Sequence, residues 1–346
     1  MSCCFDFLYL RFKKKTSKLS EISIKKIGVL TSGGDSPGMN AAIRAVVRSC
    51  AYYQIECVGI YRGYEGLIDN EMTPLGARSV RHIINKGGTF LKTARSENFK
   101  TQNGRKKAYK HILDNQIDGL IVIGGDGSFR GAKIFYEEFG IPFICIPGTI
   151  DNDIFGTDYT IGFDTAMNTA VEAIDRIRDS ATSHNRVFFV EVMGRDSGFI
   201  ALGSGIASGA QEILIPERKD SIEDLFQSLQ KSELSGKNSS IIVVAEGEEL
   251  GNVFSLAKQT RKKFPDYDVK VSVLGHIQRG GSPSCMDRIL ASRLGVAAVE
   301  TLLDGRTDLM VGLQSNKIVK TSIAEAIRKN NEIDSHLLKI SKILAI

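Results

Sequence analysis

The chain has 346 residues, of which 42% are hydrophobic and 25% charged, and its formal net charge is +5. This is the composition of a globular protein, and the length accommodates about two domains of ordinary size. Residues 1–26 hold seven Lys and Arg residues against two acidic residues, so the rest of the chain is neutral. A neutral body argues against a nucleic-acid-binding surface spread over the fold.

The first 24 residues differ in composition from the rest of the chain. An apolar stretch at 5–10 precedes Arg11 and the lysine run at 13–15. A secretory signal has these two parts in the opposite order, and the apolar stretch is too short to span a bilayer. Residues 1–24 are predicted to be a disordered extension, and a start codon assigned too far upstream is the other simple interpretation. Membrane contact through the aromatic and basic residues is a less favoured alternative, so neither a membrane nor a nucleic acid is expected as a partner. The six cysteines form no CxxC pair, which favours reduced thiols in the cytoplasm.

From residue 25 onward, short apolar runs rich in β-formers alternate with helical patterns. This alternation predicts an α/β fold with a parallel sheet built from βαβ units. The first run, 27–30, leads into a turn that contains Gly33, Gly34 and Asp35. Pro37 is then expected at the first position of a helix, whose N-terminus favours an anion such as phosphate.

The next two runs end in more specific turns. The run 120–123 leads into the sequence GGDGS at 124–128, in which glycines surround the single carboxylate Asp126. Such a turn has room for polyphosphate and for an Mg²⁺ ion held by one carboxylate and the substrate phosphates. The run 143–146 leads into PGTIDND, which makes Asp151 a candidate general base. Taken alone, either motif could also be a plain tight turn that caps a helix.

Three later runs repeat the pattern. The run 187–190 precedes Met193 and Arg195, the run 241–244 precedes Glu246, and the run 269–274 precedes the sequence GHIQRGG. In an open α/β sheet, ligands bind beyond the carboxyl ends of the strands. Six strand ends with polar or charged groups therefore predict one long cleft for ligands.

The motifs TSGGDSPGMNAAIR, IGGDGS, PGTIDNDI, TDYTIGFDTA, EVMGRDSGFIA and VLGHIQRGGSP occur in this order. The series resembles that of the bacterial-type 6-phosphofructokinases over residues 25–330. The resemblance implies two doubly wound, Rossmann-like α/β domains with mainly parallel sheets, in a cytoplasmic homotetramer. It implies transfer of the γ-phosphoryl group of Mg·ATP to the 1-hydroxyl of fructose 6-phosphate. The larger, ATP-binding domain is expected at 25–162 and about 277–327, and the smaller, fructose 6-phosphate-binding domain at about 163–276 and 328–346.

The resemblance also implies roles for individual residues. Asp151 is expected to be the general base, with Thr149 and Arg195 as its catalytic neighbours and Asp126 as the Mg²⁺ ligand. The expected ATP contacts are Gly33, Gly34, Arg95, Ser96, Asp126, Gly127 and Ser128. The expected sugar-phosphate contacts are Thr149, Asp151, Asp153, Arg186, Met193, Gly194, Arg195, Glu246, Lys270, His276 and Arg279.

Two of the sugar-phosphate contacts are expected from a neighbouring subunit. Arg186 matches an arginine that crosses the subunit boundary in the family. Lys270 stands where a second such arginine is usual, so the charge is kept but the bidentate guanidinium is lost. A somewhat raised KM for the sugar phosphate is therefore predicted.

The site for regulatory ligands is expected to be weakened. Arg44, Arg48, Arg178 and Lys237 match residues that bind ADP or phosphoenolpyruvate in the family. Other positions depart from the family pattern, namely Ala77, His82, Gln211 and Ser235, and Gln211 replaces a glutamate that would hold the effector's Mg²⁺. Weak or altered control by ADP or phosphoenolpyruvate is the resulting expectation.

The residues at two positions predict which phosphoryl donor the protein uses. Pyrophosphate-dependent forms of the family carry Asp and Lys where this chain has Gly127 and Gly148, so ATP is the predicted donor. A pyrophosphate-dependent phosphofructokinase and a non-catalytic regulatory homologue remain alternatives. NAD and lipid kinases share a GGDG-type turn but do not require the PGTIDND and GHIQRGG motifs together.

Overall fold

The computed structural model describes residues 24–180, 186–235 and 239–345. The strands of its larger sheet are β1 (Lys26–Thr31), β2 (Glu56–Ile60), β3 (Met72–Pro74), β4 (Gly119–Gly124), β5 (Phe143–Thr149), β6 (Ile161–Gly162), β11 (Leu309–Gln314) and β12 (Lys317–Ser322). The strands of its smaller sheet are β7 (Arg186–Val192), β8 (Glu212–Leu214), β9 (Ser239–Ala245) and β10 (Asp268–Val273).

Helices connect these strands and cover the sheets. In the described residues they are α1 (Met39–Tyr52), α2 (Gly63–Asp69), α3 (Glu97–Lys100), α4 (Gln102–Asp114), α5 (Asp126–Phe139), α6 (Phe163–Ser180), α7 (Phe199–Ala207), α8 (Ile222–Leu234), α9 (Val253–Lys263), α10 (Cys285–Leu303), α11 (Ile323–Ala326) and α12 (Ser335–Leu344). A 3₁₀ helix spans Gly275–Arg279. None of the described helices is both long enough and apolar enough to cross a membrane.

Both sheets are mainly parallel. The larger has the order β12-β11-β5-β4-β1-β2-β3, with β6 paired to β5, and only the edge pairs β11–β12 and β2–β3 among its described strands are antiparallel. The smaller has the order β10-β7-β9-β8, and its described pairs are all parallel. The predicted fold class, α/β with mainly parallel sheets, is confirmed.

Burial on both faces explains the sequence pattern of the strands. Every residue of β4 and β5 is buried, as expected for parallel strands covered by helices on both sides. Helices α1 and α10 cover one face of the larger sheet, where Ile43 and Leu294 belong to one core cluster. These two helices approach closely at Gly295, because a Cβ atom there would lie 2.5 Å from Ala45 Cβ.

Two helix N-termini meet where the chain passes between the sheets. Asp287, in the first turn of α10, is 1% exposed, and its carboxylate accepts hydrogen bonds from Gly162 N and Thr165 N at 2.8 Å each. Ser284 Oγ donates to Asp164 Oδ2 at 2.5 Å. Asp287 therefore caps the start of α6, and hydrogen bonds join the starts of α6 and α10 at the junction between the two sheets.

The first helix begins later than the sequence predicted. Its first residue is Met39, and the preceding Gly38 has a left-handed conformation with φ 105°. A Cβ atom at Gly38 would lie 2.7 Å from Ile161 Cγ2. Close packing of this turn against β6 therefore places Pro37 before the helix instead of at its first position.

Candidate functional site

The turn after β5 holds Asp151 in a buried position. Asp151 is 7% exposed, and its Oδ2 accepts a hydrogen bond from Thr149 Oγ1 at 3.1 Å. Its Oδ1 atom is buried and has no hydrogen-bond partner within the described part of the chain. Burial raises the pKa of Asp151, whereas Arg279, Thr149 and Arg195 act to lower it. A buried carboxylate oxygen without a donor is suited to accept a proton from a substrate hydroxyl.

Asp153 lies on the same turn and is half-buried. Burial, followed by repulsion from Asp151, raises the pKa of Asp153 to about 6. Asp126 also contributes to the raised pKa of each carboxyl group. The three predicted carboxylates are therefore close enough to influence one another, although Asp126 comes from a different strand end.

The shape of this turn depends on two asparagines. Asn152 has a left-handed conformation with φ 55°, which Asn tolerates better than most residues. Its Oδ1 accepts from Thr160 N at 2.8 Å. Asn331, far away in sequence, donates from its backbone N to Asp153 O at 3.1 Å and from Nδ2 to Asn152 O at 3.2 Å. Sequence analysis missed both roles; the DND motif could have indicated the first, but nothing in the sequence marks Asn331.

The turns after β1 and β4 pack directly on each other. A Cβ atom at Gly124 would lie 2.4 Å from Ser32 O and 2.6 Å from Ser128 Oγ. Gly33, with φ 87°, faces the same Ser128 hydroxyl. Because both turns follow parallel neighbouring strands, they form one glycine-lined surface with little side-chain bulk, which leaves room for an anion to approach the backbone.

Asp126 begins α5 at the edge of this surface. Its carboxylate lies 3.0 Å from Arg130 Nη1 and 3.7 Å from Arg195 Nη1. A Cβ atom at the adjacent Gly127 would meet nothing within 4 Å. No group of three or more His, Cys, Asp or Glu side chains that could hold a metal occurs in the described ranges. One carboxylate beside open space fits an Mg²⁺ ion that takes its remaining ligands from phosphates and water.

Ser96 caps the short helix α3. Its Oγ accepts from Phe99 N at 3.1 Å and donates to a carboxylate oxygen of Glu65. Glu65 Oε1 also accepts from Asn98 Nδ2 at 2.8 Å. These bonds fix the turn that presents the exposed Arg95. Glu65 is half-buried, and its role was not predicted because a glutamate is usually a solvated surface group.

The predicted sugar-phosphate residues Arg195 and Glu246 are joined in the structure. Arg195 has a left-handed conformation with φ 56°, and its backbone N donates to Glu246 Oε1 at 2.8 Å. Met193 is half-buried against the core of the smaller sheet. Gly194, which lies between Met193 and Arg195, has φ 149°. The loops after β7 and β9 therefore form one unit.

The 3₁₀ helix Gly275–Arg279, which follows β10 of the smaller sheet, contacts the turn after β1 of the larger sheet. Arg279 Nη1 donates to Asp35 O at 3.1 Å, and its guanidinium packs against Gly34. His276, on the same helix, is exposed. Together, Asp126, Asp151, Arg195 and Arg279 form a cluster of two carboxylates and two guanidinium groups at the carboxyl ends of strands from both sheets.

Arg186 and Lys270 lie elsewhere. Both pair with Asp268, at 3.3 and 2.8 Å. Arg186 is the first residue of the seven-residue strand β7, so it lies roughly 20 Å from the loop that carries Arg195, at about 3.3 Å per residue. Within one chain Arg186 is therefore separated from the loop that carries Arg195, and Lys270 shares Asp268 with Arg186.

The predicted effector residues form two separate groups. Arg44 and Arg48 lie one turn apart on α1, and burial together with Arg48 lowers the pKa of Arg44. Arg178 Nη2 donates to Ser208 O at 2.6 Å. Gln211 Nε2 donates to Ala345 O at 2.9 Å. Lys237 lies outside the described residues.

Comparison with known proteins identifies the family. The family model described as phosphofructokinase matches residues 26–302. The chain belongs to the phosphofructokinase family. It is 54% identical over 323 residues to ATP-dependent 6-phosphofructokinase 1 of Thermus thermophilus, covering 93% of this chain and 100% of that protein. It is 49% identical over 324 residues to ATP-dependent 6-phosphofructokinase 2 of Bacteroides thetaiotaomicron, covering 94% and 99%.

Solved structures of phosphofructokinases share the fold. The structure of phosphofructokinase from Saccharomyces cerevisiae matches with a TM-score of 0.84 and 37% identity, covering 88% of this chain and 45% of the yeast chain. A pyrophosphate-dependent phosphofructokinase from Marinobacter aquaeolei matches with a TM-score of 0.80 at 23% identity, covering 90% of this chain and 86% of that one. The second match shows a common fold.

Proposed function

We propose that this phosphofructokinase transfers the γ-phosphoryl group of ATP to the 1-hydroxyl of fructose 6-phosphate, giving fructose 1,6-bisphosphate and ADP. The observation that carries the proposal is the free, buried Oδ1 of Asp151 beside Asp126, Arg195 and Arg279. The names of the bacterial relatives, at about half identity over nearly the whole chain, support ATP as the donor.

The proposed reaction uses this geometry. Asp151 accepts the proton of the 1-hydroxyl, the hydroxyl oxygen bonds to the γ-phosphorus, and the bond to the bridging oxygen breaks with its electron pair leaving on ADP. Thr149 holds Oδ2 of Asp151 by a hydrogen bond of 3.1 Å, which leaves Oδ1 for the proton. Arg195 and Arg279 supply positive charge where the phosphoryl group moves, and such electrostatic stabilisation is the main catalytic factor in phosphoryl transfer.

Asp126 is the proposed ligand for Mg²⁺. The ion would neutralise charge on the polyphosphate. In the structure Asp126 is paired with Arg130 and Arg195 at 3.0 and 3.7 Å. An ion held by Asp126 would compete with these ion pairs, which would leave Arg130 and Arg195 available to phosphate oxygens.

Several finer features are part of the proposal. The two sheets correspond to an ATP-binding and a fructose 6-phosphate-binding domain with the predicted boundaries, and the active protein is a cytoplasmic homotetramer. Control by ADP or phosphoenolpyruvate is weak or altered. The hydrogen bonds of Arg178 to Ser208 O and of Gln211 to Ala345 O support this, because these side chains already bind the chain itself.

A coupled assay for fructose 1,6-bisphosphate tests the function. The purified chain is given fructose 6-phosphate and Mg²⁺ with either ATP or pyrophosphate, each with and without ADP and phosphoenolpyruvate. Turnover with ATP is expected, with little response to either effector. Turnover with pyrophosphate alone would exclude the proposed donor, and no turnover with either would favour the non-catalytic homologue.

A substitution at Gly127 tests the choice of donor. Gly127→Asp adds a side chain to open space, so the fold should tolerate it while the added charge repels the nucleotide phosphates. We expect kcat/KM for ATP to fall at least tenfold. Gly76→Asp is the matched control, because Gly76 is also exposed and a Cβ atom there would meet nothing within 4 Å. An unchanged kcat/KM in Gly127→Asp would contradict the assigned role of this position.

A further inference from the structure

One buried hydroxyl joins the catalytic turn to the loop that carries Arg195. Ser197 follows β7 in the smaller sheet, and Asp151 follows β5 in the larger one. Ser197 Oγ lies 2.9 Å from the carbonyl oxygen of Asp151 and 2.9 Å from that of Gly194. Ser197 is 7% exposed, so water competes little for this hydroxyl.

The hydroxyl has one hydrogen and two carbonyl acceptors within reach. Gly194 O already accepts the backbone N–H of Ser197 at 3.0 Å. The hydroxyl hydrogen therefore stabilises the structure most when it is donated to Asp151 O, because a buried carbonyl oxygen left without a donor is unfavourable. The bond runs from the loop of one sheet to the backbone of the proposed general base on the other.

The loop around Ser197 is closely packed, so the positions of Ser197 and Arg195 depend on each other. A Cβ atom at Gly194 would lie 2.4 Å from Ser197 O, and one at Gly247 would lie 2.2 Å from Arg195 O. Gly198 N donates to Glu217 Oε1 at 2.9 Å. These contacts fix the backbone on both sides of Arg195. A displacement of Ser197 would therefore move Arg195 as well.

We propose that Ser197 is a positioning residue for phosphoryl transfer, which holds the backbone of Asp151 in register with the Arg195 loop. Asp151 and Arg195 reach the reacting groups from different sheets, so their relative placement depends on contacts between the sheets. A misplacement of about 1 Å at a reacting group can lower the rate roughly a hundredfold. The inference rests on the proposed phosphofructokinase activity.

Ser197→Ala tests the proposal by separating kcat from KM. Loss of the link should lower kcat about tenfold to a hundredfold, and KM for fructose 6-phosphate should rise only a few-fold. KM for ATP should stay within twofold, because the glycine turns after β1 and β4 are untouched. Binding of a non-hydrolysable ATP analogue, measured by calorimetry without turnover, should also be unchanged.

Ser204→Ala is the matched control. Ser204 is fully buried, and its Oγ donates to Ile200 O at 2.6 Å within the same helix. The Ser204→Ala variant loses the same hydroxyl and a comparable hydrogen bond, but the lost bond does not involve Asp151. We expect a similar fall in melting temperature in both variants but a fall in kcat in Ser197→Ala alone.

Ser197→Cys provides a second variant of similar size, in case the alanine variant folds poorly. Its thiol is only a weak donor, so we expect kcat between those of wild type and Ser197→Ala. Wild-type kcat in Ser197→Ala, or in Ser197→Cys if only that variant folds, would overturn the proposal. An equal loss of kcat in Ser204→Ala would overturn it as well. If the wild-type chain itself shows no phosphofructokinase turnover, the proposed function fails instead.

Discussion

The turn that holds Asp151 and the outward patch formed by Arg186, Asp268 and Lys270 both carry residues predicted to contact the same substrate. The two regions differ in burial and in their contacts with the rest of the chain. Asp151 and Asn152 are buried and Asp153 is half-buried, and this turn is hydrogen-bonded to segments remote in sequence, including Asn331 and Ser197. Arg186 and Lys270 are partly exposed and share Asp268. The proposed proton-transfer residues thus lie together within one chain, whereas the second set of proposed phosphate-binding residues is partly exposed, as residues that serve a neighbouring subunit would be.

Asp151→Asn gives the largest expected effect. The amide cannot accept a proton from the substrate hydroxyl, so kcat should fall about a thousandfold or more. Asp304→Asn, an exposed position at the end of α10, should leave kcat unchanged. The measurement is steady-state kinetics together with binding of the ATP analogue. A fall of less than tenfold would mean that Asp151 is not the base, and that burial of this turn serves stability alone.

Asp153, on the same turn, should make the free energy of unfolding depend on pH. Its pKa is about 6, above the ordinary value of 3.8, so the folded chain binds this proton more tightly than the unfolded chain does. Ionisation therefore costs stability as the pH rises from about 4 to above 6. Relative to Asp153→Asn, the wild-type protein should lose up to about 3 kcal/mol of unfolding free energy across this window.

Denaturant unfolding of the two proteins at several pH values, without Mg²⁺ or nucleotide, measures this difference. Asp304→Asn supplies the control, and its difference from wild type should stay flat with pH. A difference between wild type and Asp153→Asn that grows toward acid would contradict the raised pKa of Asp153.

Arg186→Ala tests the outward-facing patch. Loss of a charged hydrogen bond to the 6-phosphate costs about 1.5–3 kcal/mol, which corresponds to a rise in KM for fructose 6-phosphate of roughly tenfold to a hundredfold. The nucleotide KM should not change, because Arg186 lies far from the glycine turns.

A mixing experiment decides whether Arg186 acts on a neighbouring subunit. Asp151→Asn and Arg186→Ala chains carry different affinity tags and are co-expressed, and the hybrids are purified on both tags. If Arg186 serves the neighbour, some sites in the hybrid combine an intact Asp151 with an intact Arg186, and activity at low fructose 6-phosphate recovers. No recovery in a confirmed hybrid would place both residues at one chain's site, against their separation within the chain.

The comparison also explains what could be predicted from the sequence. Strand ends followed by Gly and an acid or base predicted that Asp126, Asp151 and Arg195 lie near one another, because parallel strands bring their carboxyl ends to one edge. The roles of Asn331, Glu65 and Ser197 could not be predicted, since each acts through a contact set by tertiary packing and has no local pattern. Pro37 was placed wrongly because packing of Gly38 against Ile161, and not local propensity, determines where α1 begins.

Lys270→Arg gives the smallest expected effect and examines the patch most closely. Lys270 Nζ binds Asp268 Oδ1 at 2.8 Å and is half-exposed. Arginine would keep the charge and add a planar pair of donors that can grip a phosphate in a bidentate manner. We expect KM for fructose 6-phosphate to fall about two- to fivefold, less than one full charged hydrogen bond because the lysine already supplies the charge. Lys270→Met, which removes the charge, should raise KM instead. If arginine and lysine give the same KM while methionine raises it, only the charge matters at this position. If all three proteins have the same KM, Lys270 does not contact the substrate, and Arg186 is the only residue of the outward patch that can bind it.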